Sequence, residues 1–181
     1  HGGEAEVLFY EAFQQIFIDT AFEIIFKPSD FKNIYVDIEL TPQELSEIYT
    51  PKIPITKHGV CPDFAITNKT TNKTIYIEIK KQDGWVEGKE RNAGRGNAHE
   101  RSCKFFTPGL QKIMRAKANL PENVLPFWTV FQGDITRDPC RVREVNCWYD
   151  GYSAHFFFWR DATNKSKLIA HFESFIKPLL E

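Results

Sequence analysis

The sequence predicts one domain of α/β or α+β class, a central sheet with helices at both ends of the chain. Three observations predict it. The length, 181 residues, is that of one domain. Apolar residues recur at helical spacing near each terminus. Between them lie short runs rich in β-branched and aromatic residues, separated by turn-forming clusters. A chain that is 42% hydrophobic and 14% aromatic has ample material for a core, which excludes a disordered polypeptide.

The elements follow in order. Leu8, Phe9, Phe13, Ile16 and Phe17 line one face of an N-terminal amphipathic helix. Ile34 to Leu40 alternates like a strand. Thr41-Pro42-Gln43-Glu44 is a capping box with proline at the first helical position, so a short helix is expected to about Tyr49. Pro51, Pro54 and His58-Gly59 mark an irregular connection. Asp63–Thr67 and Thr74–Lys80 read as strands, and the polar run from Asn68 to Lys73 joins them as a hairpin. A polar loop begins at Asp83-Gly84 and lasts to Gly96. A helix follows from about Asn97, disturbed near Pro108-Gly109 and ending before Pro121. Pro126–Ile135, Glu144–Tyr149 and His155–Trp159 are three further strand candidates. Lys167–Leu180 closes the chain as a helix, with Leu168, Ile169, Phe172, Phe175, Ile176 and Leu179 on one face.

Charge is unevenly placed. The net charge is −1, which alone argues against a generic nucleic-acid coat protein. Yet residues 80 to 117 hold ten basic and four acidic side chains, so this segment is +6 and the remainder −7. A basic insert in an acidic body fits a localised phosphate-binding face, although charge alone favours a solvated charged surface. Lys81, Lys89 and Lys104 are its candidate phosphate contacts. Cys61, Cys103, Cys140 and Cys147 form no CxxC pair, so reduced thiols and a cytoplasmic location are expected. No apolar run is long enough for a membrane span, and no signal peptide is legible. The chain opens on His1-Gly2-Gly3 rather than Met, so the native start is expected to lie upstream.

The chemistry concentrates in Pro62-Asp63 and, fifteen residues after Asp63, Glu78-Ile79-Lys80. Side chains alternate along a strand, so Glu78 and Lys80 share a face and Ile79 turns away. If the preceding strand is the hairpin partner, Asp63 joins them. Mg2+ takes hard oxygen ligands, which Asp63, Glu78 and the backbone carbonyl of Ile79 can supply. An ion there stabilises the charge that builds on a phosphate under attack. Lys80 is placed to orient the attacking water or to neutralise the scissile phosphate. The pattern is weak by itself, because strands also end in Glu-Ile-Lys when charges merely flank an apolar core.

Gly94-Arg95-Gly96-Asn97-Ala98-His99-Glu100-Arg101 is the second signal. Gly94 and Gly96 let a loop approach another surface closely. Arg pairs bidentately with guanine and Asn with adenine, and Ala98 suits a thymine methyl. Glu100 braces an arginine or accepts from a cytosine amino group. His99 contacts DNA or orients its neighbours. The bland alternative is an ordinary polar loop and helix cap. His58, His155 and His171 read as structural, Trp85 as packing, and Arg137, Arg141 and Arg143 as surface charges or phosphate contacts.

The stretches PDFAI, IYIEIKKQDGWVEGKERNAGRGNAHERSCKFFTPGL and PFWTVFQGDITRDPCRVRE closely resemble type II restriction endonucleases of the PD-(D/E)XK superfamily, in particular the MunI family, which reads CAATTG. The shorter Gly-Asn-Ala-x-Glu-Arg core resembles the EcoRI kind, which reads GAATTC. The resemblance implies one restriction-endonuclease-like domain over residues 1–181, a central mixed β-sheet flanked by α-helices. It implies a bacterial cytoplasmic homodimer that cuts double-stranded DNA at a palindrome, with Mg2+, to leave 5′ AATT overhangs. A cognate DNA methyltransferase is implied as well. Asp63 and Glu78 resemble the metal ligands and Lys80 the catalytic lysine. Asn97, Ala98 and Arg101 resemble the readers of the inner AATT, with Glu100 in support, and Arg95 the reader of the outer C·G pair. Two rival readings are a nuclease of this fold without strict sequence choice and a DNA-binding module without chemistry. A cleavage map separates the first, and Mg2+-dependent turnover eliminates the second.

Overall fold

A computed structural model describes residues 2–84, 86–90 and 97–181. Its centre is a five-stranded mixed sheet in the order β1-β2-β3-β4-β5. The strands are β1 (Phe22–Phe26), β2 (Phe64–Asn68), β3 (Lys73–Lys81), β4 (Phe127–Gln132) and β5 (Phe156–Phe158). β1, β2 and β3 run antiparallel to one another, while β3–β4 and β4–β5 are parallel. The helices are α1 (Gly2–Ile16), α2 (Pro42–Glu47), α3 (Pro108–Ala118), α4 (Pro139–Trp148) and α5 (Lys165–His171). Every residue of β4 is buried, as a parallel strand covered on both faces must be. This is the expected restriction-endonuclease-like arrangement, a mixed sheet flanked by helices.

Aromatic rings tie α1 and the C-terminal helical run to one face of the sheet. Phe13 is fully buried, with its ring 4.6 Å from Phe9, 5.2 Å from Phe172, 5.6 Å from Phe17 and 6.1 Å from Trp128. Removing such a side chain costs its transfer free energy and leaves a cavity among rigid rings. Phe13→Ala is therefore expected to destabilise the fold by about 3–5 kcal/mol. Urea unfolding checks it, and a loss under about 1 kcal/mol would mean that α1 is not anchored here.

The hairpin of β2 and β3 forms as expected, paired from Phe64↔Ile77 to Asn68↔Lys73. Asn72 takes the left-handed conformation in its turn, which asparagine tolerates. Thr41 caps α2 as expected: its Oγ1 accepts from Glu44 N–H at 3.1 Å. The helix expected from Asn97 is 3-10 in form over Ala98–Phe106, breaks at Thr107 and resumes as α3.

Three expectations need correction. Ile34–Leu40 is no strand. Successive turn bonds, such as Ile34 N–H to Phe31 O and Val36 N–H to Asn33 O, coil it back on itself, and Val36, Ile38 and Leu40 are exposed. The sheet edge beside β2 belongs instead to Phe22–Phe26. Glu144–Tyr149 is not a strand but lies largely in α4. Asp138 caps that helix by accepting from Cys140 N–H at 3.1 Å, and Pro139 fixes its first turn. The closing helix is not uniform: it is α over Lys165–His171, π over Phe172–Ile176 and 3-10 over Lys177–Leu180. Pro178 lacks the N–H that would continue an α-helix.

Candidate active site and nucleic-acid interface

Asp63 immediately precedes β2, and its N–H donates to Ile77 O at 3.0 Å. Extending the Phe64↔Ile77 register by one residue sets Asp63 opposite Glu78. Asp63 Oδ2 accepts from the Ile79 N–H at 2.7 Å, which fixes its carboxylate against the next strand. Lys80 Nζ lies 3.0 Å from Glu78 Oε2. Asp63 and Glu78 are 8% and 7% exposed. Two nearly dry carboxylates and an ammonium thus converge where the hairpin opens, as the alternation of β3 predicts.

Burial pushes the Glu78 carboxyl up to about 7, and the charge of Asp63 adds to the shift; Lys80 and Lys104 work against it. Two more side chains join the cluster. Lys27, just past β1, places Nζ 3.5 Å from Asp63 Oδ1. Burial opposes its charge, but Asp63 and Glu6 hold the ammonium above its ordinary value. Glu6 comes from α1, and burial and the nearby Asp63 raise its carboxyl. The site therefore carries more buried negative charge than its own residues disperse comfortably, an environment that suits a hard divalent cation.

The second predicted constellation is partly within the described residues; Trp85, Gly94, Arg95 and Gly96 lie outside them. Ala98 N–H donates to Gln82 Oε1 at 2.9 Å. Asn97 Oδ1 accepts from Arg141 Nη2 at 3.4 Å, and Arg141 Nη1 holds Glu144 Oε1 at 2.6 Å. His99 is fully buried, stacked on Trp148 with ring centroids 5.4 Å apart and 3.7 Å from Glu144. His99 thus packs into the interior between this segment and α4. Asn97, Glu100, Arg101 and Lys104 are exposed. His99, Glu100 and Glu144 cluster closely enough for a cation, but the Arg141 guanidinium already neutralises Glu144. Lys81 reaches towards Asp83 at 3.9 Å, and Lys89 is exposed.

Comparison with known proteins adds the lineage. All of residues 1–181 match the family model described as type II restriction enzyme MunI. The chain belongs to that family. The type II restriction enzyme MunI of Mycoplasma sp. is 49% identical to it over 180 residues, 98% of this chain and 89% of that protein. A crystal structure of MunI restriction endonuclease in complex with cognate DNA superposes with a TM-score of 0.86 at 48% identity, covering 95% of this chain and 89% of that one. Membership of the MunI family makes the chain a site-specific deoxyribonuclease and implies use of a divalent metal. Among the described residues, no helix is long and apolar enough to cross a membrane.

Sequence reasoning missed Lys27, Glu6, Gln82 and Arg141 as members of these clusters. Lys27 and Glu6 reach Asp63 only through the tertiary packing of β1 and α1, for which no local pattern exists. Gln82 carried a signal that went unused: it continues the Glu78, Lys80 alternation by one more step.

Proposed function

We propose that this chain hydrolyses double-stranded DNA at the palindrome CAATTG, cutting C^AATTG with Mg2+ to leave 5′ AATT overhangs. The observation that carries this reading is the convergence of Asp63, Glu78 and Lys80 in a chain of this family. Asp63, Glu78 and the Ile79 carbonyl would hold the ion, which when bound stabilises the charge developing on the attacked phosphate. Lys80 adds fixed positive charge beside that phosphate and orients the incoming water. Water oxygen forms a bond to phosphorus, and the phosphorus–O3′ bond breaks. Each strand is left with a 3′ hydroxyl and a 5′ phosphate.

Asn97, Ala98 and Arg101 read the inner AATT in the major groove, and Arg95 reads the outer C·G pair. Glu100, His99, Gly94 and Gly96 support them. Lys81, Lys89 and Lys104 meet phosphates, a role that fits the exposure of Lys89 and Lys104. A palindrome is read by a two-fold pair of subunits, so the working enzyme is a homodimer of this single domain. Its setting is the bacterial cytoplasm, where a cognate methyltransferase protects host sites.

Digestion of DNA carrying CAATTG, GAATTC and scrambled hexamers tests this, with Mg2+ and with EDTA. Metal-dependent cutting confined to CAATTG is expected. Cutting at GAATTC would retain the nuclease and refute the specificity. Arg95→Ala is expected to lose discrimination at the outer pair by about 1–3 kcal/mol, while inner discrimination persists. Unchanged outer selectivity would remove Arg95 from the reading set.

A further inference from the structure

Gln82 stands where β3 leaves the sheet, two residues past Lys80 and four past Glu78. Its backbone is fixed on both sides: its N–H donates to Gln132 O at 3.0 Å, and its carbonyl accepts from Ile135 N–H at 3.1 Å. Gly133 makes this approach feasible. Its φ is +92°, and a Cβ there would lie 2.6 Å from Asp83 Oδ1 and 2.7 Å from the Gln82 carbonyl oxygen. The backbone so held fixes where the Gln82 side chain starts, and the side chain is itself enclosed. It is only 9% exposed, and its Oε1 accepts the Ala98 N–H at 2.9 Å.

That bond crosses between the two halves of the candidate site. One end is the strand of Glu78 and Lys80; the other opens the 3-10 helix that carries Ala98 and Arg101. The Ala98 N–H belongs to the first turn of that helix, where amides have no partner within the helix. The bond is part-buried, and breaking it would leave the Ala98 amide short of a partner, so a displacement of Ala98 is resisted at β3 and transmitted to it.

We propose that Gln82 is a positioning residue that keeps the base-reading segment in register with the cutting site. A mismatched inner base pair shifts Ala98, and Gln82 carries that shift to the strand that presents Glu78 and Lys80. The proposal rests on the reading of this site as a sequence-specific nuclease.

Two variants test it. Gln82→Met keeps the length of the side chain and removes the acceptor. Gln82→Glu keeps an acceptor at the same place. Each is assayed as the intact protein for kcat and KM on DNA carrying the preferred site and on DNA with one inner base pair changed. With Gln82→Met, the ratio of preferred to altered cleavage is expected to fall about tenfold, through kcat more than KM. Gln82→Glu is expected to restore most of that ratio. Melting temperatures identify a general loss of fold, which lowers both rates together and leaves the ratio unchanged. An unchanged ratio in Gln82→Met overturns the proposal, as does a fallen ratio that Gln82→Glu leaves at the Met level. A wild-type protein that cuts all sequences alike overturns the functional reading and this proposal with it. Failure of the Gln82 proposal alone leaves wild-type selectivity in place.

Discussion

Asp63→Asn is expected to lower DNA cleavage on the order of a thousandfold while leaving the protein folded. The two duties of Asp63 can be separated by this exchange. Its Oδ2 accepts the Ile79 N–H at 2.7 Å, and its charge faces Lys27 at 3.5 Å. Asparagine can still accept from Ile79, so the buried donor keeps a partner. Alanine cannot, and it would add about 1–3 kcal/mol of destabilisation from the orphaned amide. The asparagine variant therefore reports on charge alone. If Asp63 holds a divalent ion, Asp63→Asn loses cleavage but melts near wild type. Full activity in Asp63→Asn would remove Asp63 from the proposed ligand set. Lys80→Ala should lose activity nearly as far, because it removes the ammonium 3.0 Å from Glu78. Retained turnover there would reduce Lys80 to a strand-end charge.

The hairpin that builds this site was legible because its information is local. Glu78-Ile79-Lys80 alternates, the 68–73 run supplies a turn, and register follows from both. What was not legible arrives from elsewhere in the chain. Lys27 depends on β1, whose five residues, Phe22–Phe26, carry no turn signal strong enough to outweigh the more regular alternation of Ile34 to Leu40. Strand pairing decided between them: one segment found β2, and among the described residues the other pairs with no strand of the sheet. The same competition misread α4. Val145, Cys147 and Tyr149 suit a strand by composition, yet the Asp138-Pro139 start commits the chain to a helix before they are reached. That helix delivers Arg141 to Asn97 and Trp148 to His99, so these contacts with the proposed reading segment were hidden with it.

Acid is expected to unfold this protein through two histidines that take no part in the proposed chemistry. Burial lowers His155 to about 4, against the backbone bond to Phe127 O that favours its charge, and Arg115 adds to the fall. His155 Nδ1 lies 3.0 Å from that oxygen. Burial likewise lowers His171 to about 4, with His155 contributing; its ring stacks 5.5 Å from Trp128. For a group with a depressed folded value, stability is fully present above the unfolded value, about 6.5, and is lost as pH falls towards 4. His155 therefore removes about 3 kcal/mol across that window, by order of magnitude, and the less buried His171 removes less because solvent screens it. Glu78 acts in the opposite sense. Its folded value is raised to about 7, so lowering the pH through 7 protonates it more readily in the folded state and adds stability. Two histidines against one carboxyl leave a net loss, which is a large part of a typical folding free energy of about 5–15 kcal/mol. The urea midpoint of the metal-free protein should thus fall between pH 6.5 and 4. His155→Gln, whose amide can still donate to Phe127 O, should flatten the slope, and Glu78→Gln should steepen it. A midpoint independent of pH across this window, or an unaltered slope in His155→Gln, would show that these rings are hydrated rather than held neutral by burial.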